Sequence, residues 1–190
     1  MRRIICLLVL LCLFVPCGFG EGLDTDPGYQ TWISGVDTVH RPVDQPFFGT
    51  VSEGTICAFL DLAELADSEL LVPRLVLATE LEEPLYAAEL TLQVGKTVWH
   101  AGVHAEISEY DMLYLEDYTI LLAGGGLDLL QAMAKAKSSE FPFTLTAEGR
   151  ALQGSLTIPT GSVQRLWKDF KRLRGDKQDL SGIEDVWRKE

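Results

Sequence analysis

The stretch LYAAELTLQVGKTVWHAGVHAEI, residues 85–107, decides the fold. Two apolar-rich runs, Leu85 to Val94 and Thr97 to Ile107, meet at Val94-Gly95-Lys96, where glycine supplies the positive φ that a tight hairpin needs. In the second run Trp99, Ala101, Val103, Ala105 and Ile107 share one face, and His100, Gly102, His104 and Glu106 the other. Trp99 is therefore the first choice for a core residue. Similar short runs divided by turn signals recur upstream and downstream, which predicts strands near 55–62, 74–80, 86–94, 97–107 and 113–122.

After Gly124-Gly125-Gly126 the period changes, and Leu127, Leu130, Met133 and Ala134 predict a short helix ended by Lys135, Lys137 and Ser138-Ser139. The triple glycine reads as a strand-to-helix turn; an anion cradle there is disfavoured by Asp128 in the first helical turn. Phe141, Phe143 and Leu145 alternate outward, Glu148-Gly149 turns the chain, and Leu152, Leu156 and Ile158 alternate back as a second hairpin. Beyond Pro159, Val163, Leu166, Trp167, Phe170 and Leu173 predict a helix over 162–174. Ser181 and Glu184 form a capping box that predicts a last helix sharing Ile183, Val186 and Trp187 on one face.

The N-terminal twenty residues read as an export signal: Arg2 and Arg3, an apolar run from Ile4 to Val15, Pro16, and a small-x-small site at Gly18-Phe19-Gly20. The run is shorter than the roughly 20 residues of a membrane span. A periplasmic or secreted protein is expected, cleaved near Gly20. Lipidation of Cys17 is a second reading, which Pro16 directly before it disfavours. Residues 21–48, rich in Asp, Gly, Pro and Thr, read as an extended lead-in that Trp32 pins to the body, and 49–190 as one β-rich domain.

The charge is −12 over 190 residues; without Arg2 and Arg3 it becomes −14, a field that repels nucleic acid and anionic membrane. With Cys6, Cys12 and Cys17 in the export segment, Cys57 remains alone, in an apolar run that predicts a buried thiol and no intrachain disulfide.

Catalytic chemistry is thinly written. His100 and His104, four apart on a strand, lie about 13 Å apart, too far to share an ion, which leaves His104 with Glu106 as a partial metal pair at most. Asp24-Thr25-Asp26-Pro27-Gly28 opens like a calcium loop but lacks the later ligands. Glu106, Glu109, Asp111, Glu116 and Asp117, interleaved with Tyr110, Tyr114 and Tyr118, supply carboxylates for a carbohydrate-active or metal-assisted hydrolase, although a solvated rim of an acidic protein is the favoured reading. No nucleophile elbow and no cofactor motif is present in the sequence. The reversal of sign on the helix at 162–174 stands out: Arg165, Lys168, Lys171, Arg172 and Arg174 are basic on an acidic protein.

From Thr55 to Leu173 the order of elements resembles the invasion-associated locus B family of exported bacterial proteins. Gly126 followed by LDLLQAMAKAK, then FPFTLTAEGRALQGSLTIPTGSVQRLWKDF, carries the resemblance as a short helix, a hairpin around a glycine turn and a closing amphipathic helix. The resemblance implies a small β-sandwich with a periplasmic or surface role in host interaction or envelope stress; the paired cysteines common in that family are missing here.

The expected fold is thus mainly β (α+β), an antiparallel sandwich or curved sheet with one crossing helix and two C-terminal helices. The expected function is that of a non-enzymatic envelope binding or accessory protein with a protein partner. Arg165, Lys168, Lys171 and Arg172 form its first contact patch, and Tyr114 and Tyr118 its second. Membrane contact would come only through a lipidated Cys17 or the basic helix.

Overall fold

The hairpin at Gly95 forms as its spacing requires. In the computed structural model, which describes residues 23–24, 26–45, 47–51, 54–110, 113–174 and 178–190, Gly95 turns the chain at φ +63° between β6 (Glu89–Val94) and β7 (Thr97–Gly102). Val94 pairs with Thr97 and Leu92 with Trp99, so Trp99 enters the core at 2 % exposure. The second arm is shorter than expected. It stops at Gly102, Val103 donates its N–H to the Ala88 carbonyl, and the chain changes partner to form β8 (Ala105–Tyr110), the last strand in the pairing order. Alternation continues in phase across this break, so side-chain pattern alone did not reveal it.

The remaining strands are β1 (Tyr29–Ser34), β2 (Asp37–Pro42), β3 (Phe47–Val51), β4 (Gly54–Leu65), β5 (Leu70–Leu81), β9 (Leu113–Leu121), β10 (Glu140–Ala147), β11 (Arg150–Thr157) and β12 (Trp187–Lys189), with helices α1 (Gly125–Lys135) and α2 (Thr160–Arg174). All pairings are antiparallel along one path, β12-β7-β6-β10-β11-β3-β4-β5-β9-β8, and β1 joins through β2, which pairs with β4. The fold is mainly β with two helices.

The sheet curves so that its two halves and both helices share one core. Leu60, Leu77 and Ile120 from one half meet Leu92, Trp99 and Phe143 from the other, together with Met133 of α1 and Leu166 and Phe170 of α2. Val39, Cys57, Ala63 and Val76 are also buried but stand outside that cluster, on the opposite, outer face of the sheet. Alternation in β4 divides the two faces: Ile56, Ala58, Leu60 and Leu62 point inward, Cys57, Phe59, Asp61 and Ala63 outward.

Two expectations need correction. The lead-in is largely sheet: β1 and β2 form a hairpin that extends the edge of β4, and Leu23 and Tyr29 enter the core. Trp32 is only half-buried and covers Arg41 instead. In the gap between β2 and β3 the Gln45 amide donates to the Leu60 carbonyl at 2.5 Å and accepts from its N–H at 2.6 Å, replacing a missing ladder residue. The last helix is absent among the described residues. Asp179 accepts the Ser181 N–H in a turn, and β12 pairs with β7, burying Trp187 to 3 %. So short a helix forms weakly, and a sheet edge with an indole pocket outweighs its capping box. Residues 1–20, the expected export signal with Cys6, Cys12 and Cys17, lie outside the described residues. No described helix is long and apolar enough to cross a membrane.

Candidate functional surfaces

Helix α2 turns Val163, Leu166 and Phe170 into the core, which places its basic residues outward. All four residues of the first expected contact patch lie on this helix, but they are not equivalent. Arg165 is held by Asp44 at 2.7 Å, and its guanidinium stands 6.0 Å over the Tyr29 ring. Asp44 also accepts a hydrogen bond from the Ser162 hydroxyl, and the Tyr29 hydroxyl donates to Asp169 at 2.9 Å. Burial, then the bond to Asp169, pushes the Tyr29 phenol above its usual range. This side of α2 therefore holds the β1–β2 hairpin. Lys168, Lys171 and Arg172 remain exposed; Lys171 lies 5.1 Å over the Trp167 ring and Arg172 reaches Asp169 at 3.5 Å. They form one contiguous edge over the last turns of the helix, where positive charge also suits the helix dipole.

The tyrosine patch is divided by depth along β9, since Tyr114 and Tyr118 share one face of the strand, opposite Leu81 and Leu77. Tyr114 is half-buried, but Tyr118 is 0 % exposed and cannot meet a partner in this fold. Glu116, expected among the rim carboxylates, is buried beside it. Its carboxylate accepts the Leu85 N–H at 2.7 Å, the Tyr86 N–H at 2.9 Å and the Tyr118 hydroxyl at 2.5 Å, while that hydroxyl accepts the Ala87 N–H at 3.3 Å. The 85–87 backbone is thereby tied to β9, with Tyr86 at φ +54°. Burial and the Glu116 carboxylate both push the Tyr118 phenol up.

On the outer face, Glu106 of β8 stands directly opposite Asp117 of β9. Burial, then the Glu106 charge, raises the Asp117 carboxyl, against a smaller opposing effect of Arg41. His104 is exposed just before β8, and Asp111 lies outside the described residues. Among the described residues no group of three His, Cys, Asp or Glu is placed to hold a metal. His100, whose pairing with His104 the strand geometry excluded, contacts Glu89 at 3.0 Å and Glu190 at 3.4 Å.

Two clusters were not foreseen. Asp61, fully buried, receives Arg74 through Nε at 2.8 Å and Nη2 at 3.2 Å, and Arg41 through Nη2 at 3.0 Å. Arg41 is stacked between Phe59 at 3.9 Å and Trp32 at 4.8 Å, and burial lowers its pKa despite Asp61. The signal was present in the sequence: Asp61 precedes Leu65 by as many residues as Arg74 follows Leu70, and Leu65 pairs with Leu70 across the β4–β5 turn. Opposite charges at mirror positions in the apolar middle of two strands belong together. Second, His40 is fully buried, bonded to the Thr31 hydroxyl at 2.9 Å, with Glu64 at 3.4 Å and Asp24 at 3.6 Å. Glu64 also lines an open groove of about 1030 Å³ between the β4–β5 turn and the end of α2, with Leu23, Leu71, Leu173 and Arg174.

The triple glycine opens α1 as a turn, with Gly124 at φ +49°. Its first helical N–H, from Gly125, is taken by Asp185 of the C-terminal segment at 2.9 Å, so the chain supplies its own anion there. No protein-family model matches the chain, and no curated protein or solved structure matches it.

Proposed function

We propose that this is an exported, non-enzymatic binding or accessory protein of the cell envelope, acting on a protein partner through the exposed edge of α2. The observation that carries this reading is the placement of Lys168, Lys171 and Arg172 together in solvent on a chain of net charge −12. A cationic edge on an acidic body steers an acidic partner to one orientation and repels basic ones. Arg165 belongs to the scaffold through Asp44, so the contact patch is narrower than four residues. The apolar N-terminal run behind Arg2 and Arg3 supports export, and the element order resembling the invasion-associated locus B family supports an envelope role.

The hydrolase reading keeps one supporting observation, the Glu106–Asp117 pair with its raised carboxyl. It loses Glu116 and Tyr118 to the interior. Release of reducing ends from envelope polysaccharide, abolished by Glu106→Gln, is the result that would favour it.

The test of the binding reading is affinity capture from envelope extract with the wild-type chain and with Lys168, Lys171 and Arg172 all changed to Glu. A single partner retained by the first and lost by the second, at equal thermal stability, supports the proposal. Equal capture by both contradicts it.

A further inference from the structure

The sheet ends in an unusual edge. Among the described residues β8 pairs only with β9, so its far side presents a row of backbone donors and acceptors. Its outer face carries Glu106, Ser108 and Tyr110, all exposed, with Tyr110 at 61 %, and Ile107 on the other face is only partly covered. Glu109 adds a second acid three residues from the first. Glu106 also faces Asp117 across the ladder, an arrangement of like charges that destabilises a strand pair until a cation relieves it. Arg41 supplies part of that relief, yet the Asp117 carboxyl stays raised.

From this edge we infer that β8 is a docking strand for an extended, cationic segment of another protein, which adds to the sheet and seats one cation against Glu106 and Asp117. The ladder determines the pattern of that segment. A strand running antiparallel to β8 places its residues opposite Tyr110, Glu109, Ser108, Ile107 and Glu106 in turn. Complementary side chains in that order are valine, lysine, threonine, valine and lysine, with two cations three residues apart around a threonine and a valine. A second copy is disfavoured as occupant, because β8 against β8 brings glutamates together and the whole chain repels itself at −12. The same field draws a cationic strand in. This surface is separate from α2 and does not depend on the reading given above.

The experiment is titration of a fluorescein-labelled peptide with the core valine-lysine-threonine-valine-lysine into the protein at low ionic strength, followed by amide hydrogen exchange of the complex. Saturable binding is expected, with slowed exchange in residues 105–110. Glu106→Lys or Glu109→Lys should weaken binding about tenfold, while the triple Glu variant of Lys168, Lys171 and Arg172 leaves it unchanged. Both glutamates are exposed, so both variants should fold, Glu109→Lys at the wild-type unfolding midpoint and Glu106→Lys at or above it because the like-charge pair with Asp117 is removed; exchange in the unaltered protein gives an independent reading. Absence of saturable binding, protection confined to other elements, or equal affinity after both substitutions would overturn the inference. So would a dimer of the protein alone with β8 amides protected.

Discussion

Two carboxylates lie fully buried on opposite faces of the same sheet, and they are neutralised in different ways. Glu116, on the inner face, is surrounded by the main core and receives two backbone N–H groups and one phenol. Asp61, on the outer face, receives two arginines. The inner solution uses neutral donors that a rigid loop supplies; the outer solution uses long cations whose stems and aromatic neighbours also cover the sheet. The comparison teaches that the outer face is itself a thin second core, with Arg41, Trp32 and Phe59 taking the place of a covering helix.

The largest effect is expected at Asp61. Asp61→Ala leaves two mostly buried guanidinium groups uncompensated and should cost about 3–5 kcal/mol in urea unfolding. Replacing Asp61, Arg41 and Arg74 together by leucine or methionine should cost much less than that single change, because no charge is stranded. If the triple variant is the worse of the two, the ion network stabilises more than its packing and the comparison must be redrawn. Glu116→Ala orphans three donors and should cost about 2–3 kcal/mol, with faster amide exchange at Leu85 and Tyr86. Tyr118→Phe removes one bond to Glu116 and one from Ala87, an expected loss of about 1 kcal/mol.

The smallest effect has the opposite sign. The Asp117 carboxyl is raised in the folded chain, by burial first and Glu106 second. A raised acid contributes its full stability below its unfolded pKa, and that contribution is lost as pH rises through the folded value. Asp117→Asn should therefore stabilise at neutral pH, by about 0.2–1 kcal/mol from relief of the like-charge pair. The gain should shrink as pH falls through the carboxylate range. A gain independent of pH would assign it to packing instead of charge.

Local pattern reached as far as local physics extends. The hairpins at Gly95 and Gly149 and helices α1 and α2 followed from alternation, turn glycines and apolar stripes. The break between β7 and β8 did not, because both strands keep the same phase and differ only in which neighbour they pair with. The C-terminal strand was hidden for a related reason: Trp187 fits a helix stripe or a strand equally well, and the choice was made by the edge of β7, where its partner Ala101 lies 86 residues upstream in the chain. At the candidate surfaces, the basic residues of α2 were legible from composition, but the loss of Arg165 to Asp44 and of Tyr118 to Glu116 depended on tertiary partners. Asp61 and Arg74 were legible in principle, since the register of one short turn determines both.

The proposed role of α2 is to meet a protein partner through its exposed basic edge. A photo-crosslinking side chain placed at position 168 in cells that make the protein, with position 153 on exposed β11 as the comparison, tests it most directly. A discrete adduct is expected from 168 that disappears when Lys171 and Arg172 are changed to Glu, and none from 153. Equal adducts from both positions, or none from 168, would contradict it.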